Sequence, residues 1–129
     1  MNVVVLVYSH DRNVRADVMD ALGDTIGGVD LEIREAATAP AVFTQLDTKQ
    51  VDCCILDAEA TPLGGMGLAK QIRDEYDFCP PIMLLVAREA DSWLAAWSRA
   101  EAIHVHPVDP LTLPAQVERL VFVEDHEAA

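Results

Sequence analysis

Short apolar runs alternate with longer amphipathic segments along the whole chain. Five runs are predicted to be strands, because they are rich in β-branched and other apolar residues and end at polar, glycine or proline residues. These runs are 3–8, 31–36, 51–57, 82–86 and 103–106. The first, third and fourth are continuously apolar, as in strands buried on both faces, whereas the second alternates and is typical of a strand nearer a sheet edge.

The segments between these runs carry apolar residues at helical spacing. We predict five helices, over 14–22, 40–46, 67–76, 93–100 and 110–121. Asp11 is the expected N-cap of the first helix, and Asp91 or Ser92 that of the fourth. Pro40 and Pro110 are placed to open the second and fifth helices, since proline is favoured in the first turn.

Five strands alternating with five helices predict an α/β fold, in which a parallel sheet carries helices on both faces. The natural choice is a flavodoxin-like, doubly wound sheet with strand order 2-1-3-4-5. Loops are expected at the glycine-containing segments 23–28 and 58–67, and the glycines of 64–67 are expected to make the second loop flexible. Without an internal repeat or linker, 1–123 is predicted to form one domain and 124–129 an acidic C-terminal tail.

The strand ends indicate where chemistry would occur, because ligands of such sheets bind at the carboxyl ends of the strands. Asp57 ends the central predicted strand, and Ser9 and His10 follow the first. Val86 ends the fourth strand and His106 the fifth. We therefore expect these five residues to surround one crevice, with Asp57 at its centre.

The charge of the chain is strongly acidic, with 22 acidic and 9 basic residues and a formal net charge of −13. Such a surface repels phosphate backbones and anionic lipids, which argues against direct nucleic-acid binding. The charge either serves solubility or favours a partner with a basic surface.

Three cysteines are present without a CxxC spacing, which argues against a zinc or redox site. Cys53 and Cys54 are neighbours on a strand and point to opposite faces, so they cannot easily bridge each other. The expectation is a reduced, cytoplasmic protein. The N-terminus lacks the basic region of a signal peptide, and no apolar run is long enough for insertion into a membrane.

Several short segments occur in an order and at a spacing that resemble a known family. They are Val5–Tyr8, Ile55–Asp57, Gly65 with Gln71-Ile72-Arg73, Pro81–Leu84 and His106–Pro110. Together they resemble the receiver domains of two-component response regulators, from Val3 to about Val121. The resemblance implies a CheY-like fold and a place in phosphorelay signal transduction, where an aspartate at the position of Asp57 accepts a phosphoryl group from a histidine kinase.

The resemblance also implies groups that this chain lacks. In receivers, two acidic residues after the first strand join the acceptor aspartate in holding Mg²⁺, while a Ser or Thr and a Lys bind the phosphoryl oxygens. The matching positions here carry Ser9, His10, Val86 and His106. We therefore expect an atypical pseudo-receiver that is not an enzyme, has no cofactor and binds Mg²⁺ weakly or not at all. Asp57 is then an inactive or weak phosphoacceptor.

Three functions remain open at this point. The first is a stand-alone, phosphorylation-independent docking or regulatory module for another protein, such as an accessory subunit of a larger complex. The second is a phospho-switch that still accepts phosphate on Asp57 from a histidine kinase or a small phosphodonor. The third is a transition-metal site formed by His10, Asp57 and His106, since two imidazoles and a carboxylate are suitable ligands.

Partners of receivers dock on the surface of the fourth helix, fifth strand and fifth helix, and a homodimer could use the same surface. Trp93 and Trp97, four residues apart on one helix face, are candidate anchors, although at least one of them is expected to pack in the core. Ile103, Leu113 and Val117 complete the candidate partner surface.

Overall fold

A computed structural model describes residues 2–60, 64–88 and 93–123. The strands are β1 (Asn2–Tyr8), β2 (Thr25–Ile26), β3 (Val29–Ala36), β4 (Cys53–Asp57), β5 (Ile82–Val86) and β6 (Ala102–Val105). The helices are α1 (Arg12–Leu22), α2 (Ala39–Asp47), α3 (Gly65–Glu75), α4 (Trp93–Ser98) and α5 (Thr112–Glu118). A π-helical turn, Arg119–Val123, extends α5. The predicted caps Asp91 and Ser92 and the predicted tail 124–129 lie outside the described residues.

The strands form one sheet in the order β2-β3-β1-β4-β5-β6. All neighbours from β3 to β6 are parallel, which confirms the predicted flavodoxin-like order of the five main strands. The short strand β2 is an addition, because it pairs antiparallel with β3 in a hairpin. Its turn contains Gly27 and Gly28 at φ values of 57° and 79°. Positive φ at both central residues suits the twist of a two-residue hairpin, so part of the predicted loop over 23–28 is ordered β structure.

The sheet separates two apolar layers. On one face, side chains of β1, β4 and β5 pack with α2 and α3, including Leu6, Leu56, Ile72 and Leu84. On the other face they pack with α1 and α5, including Val5, Val18 and Ile55. Every residue of β4 and β5 is buried, as predicted for strands covered on both faces.

Leu113 and Val117 belong to the second apolar layer, and neither is exposed to solvent. Their prediction as partner-surface residues is therefore wrong. The physical reason is their spacing of four residues, which places both on the side of α5 that covers the sheet. Ile103 on β6 is half-buried and packs against the opposite layer.

Both tryptophans of α4 are exposed, Trp93 to 64% and Trp97 to 49%. The expectation that at least one of them packs in the core is therefore wrong. The ammonium group of Lys70 lies 5.6 Å from the centroid of the Trp97 ring, in a cation–π contact between α3 and α4. Among the described residues, no helix combines the length and apolar character needed to cross a membrane.

Candidate functional site

Asp57 is the last residue of β4, which lies between β1 and β5 in the middle of the sheet. Its carboxylate is almost completely buried, with 2% of the residue exposed. The backbone continues in the strand direction for one more residue, because the Ala58 N–H donates to the carbonyl oxygen of Leu85 at 2.9 Å. The rigid sheet therefore fixes the carboxylate at its carboxyl edge.

Both carboxylate oxygens of Asp57 accept hydrogen bonds from this chain. The buried Ser9 hydroxyl donates to Oδ2 at 2.7 Å, and the backbone N–H of Glu59 donates to Oδ1 at 2.9 Å. The Ser9 oxygen in turn accepts a hydrogen bond from the Asp11 N–H at 3.0 Å. Because the Ser9 oxygen accepts this bond through a lone pair, its hydroxyl proton remains available for the bond to Asp57. The hydrogen bonds from Asp11 to Ser9 and from Ser9 to Asp57 therefore run in one direction.

His106 also lies beside Asp57, but at a longer distance. Its Nε2 atom is 3.9 Å from Oδ1 of Asp57, which is beyond hydrogen-bond range. The backbone places the ring there, since the His106 N–H donates to the carbonyl oxygen of Val86 at 2.9 Å. The imidazole is therefore within electrostatic reach of the carboxylate and adds positive charge only when it is protonated.

Val86 and His10 differ from Ser9 and His106 in their surroundings. The Val86 side chain is fully buried in the apolar layer and offers methyl groups where a hydroxyl would bind an oxyanion. His10 is exposed on the loop after β1. Asp11, the next carboxylate along the chain, is engaged as the N-cap of α1, where it accepts from the Asn13 N–H at 2.8 Å.

The residues around Asp57 do not fit a Mg²⁺ ion, which prefers several carboxylate, carbonyl and water oxygens. Ser9 offers a neutral hydroxyl that is already bonded to Asp57, and His10 offers an imidazole. Within 2–60, 64–88 and 93–123, no group of three His, Cys, Asp or Glu side chains is placed to hold a metal. The hypothesis of a transition-metal site at His10, Asp57 and His106 therefore has no support in the geometry.

Gly64 and Gly65 bring the start of α3 against the backbone at the end of β4. A Cβ atom on Gly65 would lie 2.8 Å from the carbonyl carbon and oxygen of Asp57, and one on Gly64 would lie 2.6 Å from the carbonyl oxygen of Ala58. Neither contact can be relieved by rotating a side chain. These two glycines thus serve close packing beside Asp57, which corrects their interpretation as flexible loop residues.

Three contributors to the site were missed at the sequence level. Glu59 acts through its backbone N–H, which every residue type except proline carries, so no sequence pattern identifies it. Arg15 donates to the carbonyl oxygen of Ser9 and pairs with Glu35 at 3.0 Å. The phenol of Tyr8 is buried near Asp57. In the sequence, these two contributors could be suspected only because Tyr8 ends the first strand and Arg15 follows it within seven residues.

Both tyrosines of the chain are expected to ionise at higher pH than free tyrosine. Burial raises the pKa of Tyr8 above 10.0, and the charge of Asp57 raises it further. Burial also raises the pKa of Tyr76 to about 12, together with the hydrogen bond from its hydroxyl to Asp47. Because the folded state favours the neutral phenols, their contribution to stability is complete below pH 10. The contribution of Tyr76 is lost as the pH rises towards 12, and that of Tyr8 is lost as the pH rises through its own raised pKa.

The chain has two tyrosines, so a Tyr76→Phe variant keeps Tyr8 alone. Its tyrosinate absorbance against pH then measures the ionisation of the Tyr8 phenol. We expect the added change Asp57→Asn to lower the pKa of Tyr8, because it removes a neighbouring negative charge. The pKa of Tyr8 stays above its ordinary value, since burial is the larger cause. An unchanged pKa after Asp57→Asn would contradict an ionised carboxylate beside Tyr8.

No protein-family model matches the chain. It is 49% identical over 124 residues to the uncharacterized response regulatory protein Rv3143 of Mycobacterium tuberculosis strain H37Rv, with 95% of this chain and 93% of that protein covered. A response regulatory protein of strain CDC 1551 is similar to the same extent.

Solved structures share the fold at low sequence identity. Chemotaxis response regulator CheY4 of Vibrio cholerae superimposes with a TM-score of 0.76 at 22% identity, covering 93% of this chain and 99% of that one. A CheY-like receiver domain protein of Methanospirillum hungatei superimposes with a TM-score of 0.78 at 16% identity, covering 98% of this chain and 99% of that one.

Proposed function

The chain belongs to the response regulators and has the receiver-domain fold, and we propose that it acts as a phosphorylation-independent docking module for another protein. In this proposal it is a regulatory subunit of a larger cytoplasmic assembly and catalyses no reaction. Asp57 then has a structural role at the edge of the sheet.

The observation that supports phosphorylation independence is that the hydrogen bonds to Asp57 come from neutral donors of its own chain. The Ser9 hydroxyl donates to one of its oxygens and the Glu59 N–H donates to the other. An incoming phosphoryl group carries negative charge into this buried position and needs positive charge or strong donors to offset it. Val86 supplies none, and the His106 imidazole lies 3.9 Å from the carboxylate.

The surface that supports docking consists of Trp93 and Trp97, which we call the tryptophan surface. Large exposed aromatic side chains are frequent anchors of protein interfaces. The contact with Lys70 restrains the Trp97 ring before a partner binds, which lowers the entropy lost on binding. Asp74 pairs with Lys70 at 3.5 Å within α3 and with Arg99, directly after α4, at 2.8 Å, so charged groups lie close to the tryptophan surface.

Affinity purification with quantitative mass spectrometry tests this function. We expect a Trp93→Ala/Trp97→Ala variant to lose the proteins that co-purify with the parent chain, by roughly tenfold or more, because truncation of interface anchors often costs more than about 1.4 kcal/mol. Asp57→Asn is expected to retain them, since it keeps the shape of the side chain and removes the phosphoacceptor.

Leu111→Ala is the matched control, because Leu111 is also a large exposed apolar residue, at 85% exposure. A partner lost with Asp57→Asn but retained by the tryptophan variant would favour the phospho-switch instead. Sedimentation of the purified chain reports whether the partner at this surface is a second copy, since the tryptophan variant would then be monomeric.

A further inference from the structure

We propose a second binding site at the amino-terminal ends of the central strands, opposite the carboxyl ends where Asp57 lies. This site binds a segment of a partner protein in which an apolar side chain is flanked by lysine or arginine. The site is a groove of about 530 Å³ between the ends of α2 and α3 and the start of β4. We call it the basal groove. Its apolar lining is Leu46, Val51, Ile72, Tyr76, Phe78 and Pro80.

The basal groove is separate from the surroundings of Asp57. Val51 precedes β4 and lines the groove, whereas Asp57 ends the same strand. The six residue steps from Val51 to Asp57 span up to about 20 Å, at about 3.3 Å per residue of extended chain. A ligand in this groove therefore leaves the carboxylate untouched, and the groove does not include either tryptophan of the tryptophan surface.

Phe78 is the most prominent apolar side chain of the groove, with 94% of the residue exposed. The loop that carries it is anchored on both sides. The single proton of the Cys79 thiol is shared between the carbonyl oxygens of Ile72, at 3.6 Å from the sulfur, and Tyr76, at 3.4 Å. The Pro81 carbonyl accepts from the Cys54 N–H at 2.9 Å. Because these contacts hold the backbone, the exposed phenyl ring of Phe78 is kept at the rim of the groove, where a ligand can contact it.

The charges around the groove select the occupant. Among the described residues that line it, Asp47, Glu75 and Asp77 are acidic and Lys49 is the single cation. A purely apolar ligand gains nothing from these carboxylates, and an acidic segment is repelled by them. A lysine or arginine beside an apolar anchor satisfies both features of the site, with the anchor against Phe78 and the cation at the rim.

The volume of the groove is also sufficient for the anchoring side chain of a bound peptide segment. Its volume lies in the range of small-ligand pockets, which is about 300–1,000 Å³. Tyr76 is fixed within it, because its hydroxyl donates to Asp47 at 2.7 Å and its ring stacks on Phe43 with 6.1 Å between centroids. The floor is therefore preformed, which limits the ordering needed when a peptide binds.

Fluorescence polarisation with two short labelled peptides tests the proposal. In one peptide leucine alternates with arginine, and in the other leucine alternates with glutamate. We expect the arginine peptide to bind and the glutamate peptide not to bind. Amide shifts in the ¹⁵N-labelled protein are expected to concentrate at Lys49, Asp77, Phe78 and Cys79, which line the groove.

Matched variants separate this site from general attraction to an acidic protein. Phe78→Ser is expected to weaken the arginine peptide roughly tenfold, or about 1.4 kcal/mol, whereas Leu111→Ser, at another exposed apolar position, leaves its affinity unchanged.

Glu75→Gln/Asp77→Asn is likewise expected to weaken binding more than Asp17→Asn/Asp20→Asn, which removes the same charge from exposed positions of α1. Equal effects within either pair, equal binding of both peptides, or no binding of the arginine peptide would overturn the proposal.

Discussion

Phosphoryl transfer to Asp57 is expected to accelerate by about four orders of magnitude when the groups of an ordinary receiver are built around it. The change is Ser9→Asp, His10→Asp, Val86→Thr and His106→Lys. One preorganised donor is worth about 2.7–4 kcal/mol of barrier, and each 1.36 kcal/mol is about tenfold in rate. The hydroxyl and the ammonium group alone therefore account for roughly this factor, although such contributions are not strictly additive.

The structure gives each of these four changes a physical reason. A threonine at position 86 directs a hydroxyl from the end of β5, where the chain now has methyl groups. A lysine at position 106 brings a permanent charge to a position whose imidazole nitrogen lies 3.9 Å from Asp57. The two new carboxylates replace the hydroxyl that now bonds Oδ2 and supply the oxygen ligands that Mg²⁺ needs.

The measurement is the rate at which acetyl phosphate and Mg²⁺ add a phosphoryl mass to the intact protein. Adding Asp57→Asn to the four changes is the control that locates the phosphate, and circular dichroism verifies the fold of each variant. A parent chain that reacts as fast as the fourfold variant would restore ordinary phospho-signalling as its function. A folded variant without any gain would refute the electrostatic explanation of the inactive site.

The central architecture was predictable because strand burial and strand order leave strong periodic signals. The continuous apolar runs of β1, β4 and β5 give the middle of the sheet, and the alternation of strands and helices gives the parallel order. The hairpin strand β2 was not predictable from periodicity, because two residues are too few for a pattern. Only the glycine pair at its turn carries a signal.

The placement of Ser9 and His106 beside Asp57 follows from the meeting of strand ends, a property of the fold. The atoms that touch Asp57 do not follow from it. A hydroxyl directed at Oδ2, a backbone N–H directed at Oδ1 and an imidazole at 3.9 Å depend on loop geometry that no sequence spacing encodes. The exposure of both tryptophans was also not predictable from the sequence. Their helical spacing places them on one face of α4 but does not show whether other residues cover that face.

Leu113→Ala is expected to lower the free energy of unfolding by about 2–5 kcal/mol, whereas Leu111→Ala changes it by less than about 0.5 kcal/mol. The two substitutions remove the same atoms from positions two residues apart. Leu113 is fully buried against the sheet, while Leu111 is 85% exposed just before α5. The first change leaves a cavity in the core, and the second removes only a solvated side chain.

Urea denaturation of both variants, followed by far-ultraviolet circular dichroism, measures the difference. Comparable slopes against urea are required, so that the midpoints report stability and not a changed unfolded state. If Leu113→Ala were as mild as Leu111→Ala and instead weakened partner binding, the side chain would belong to the docking surface. Stability loss at Leu113 with partner binding retained would instead leave the exposed tryptophans of α4 as the anchors of the complex.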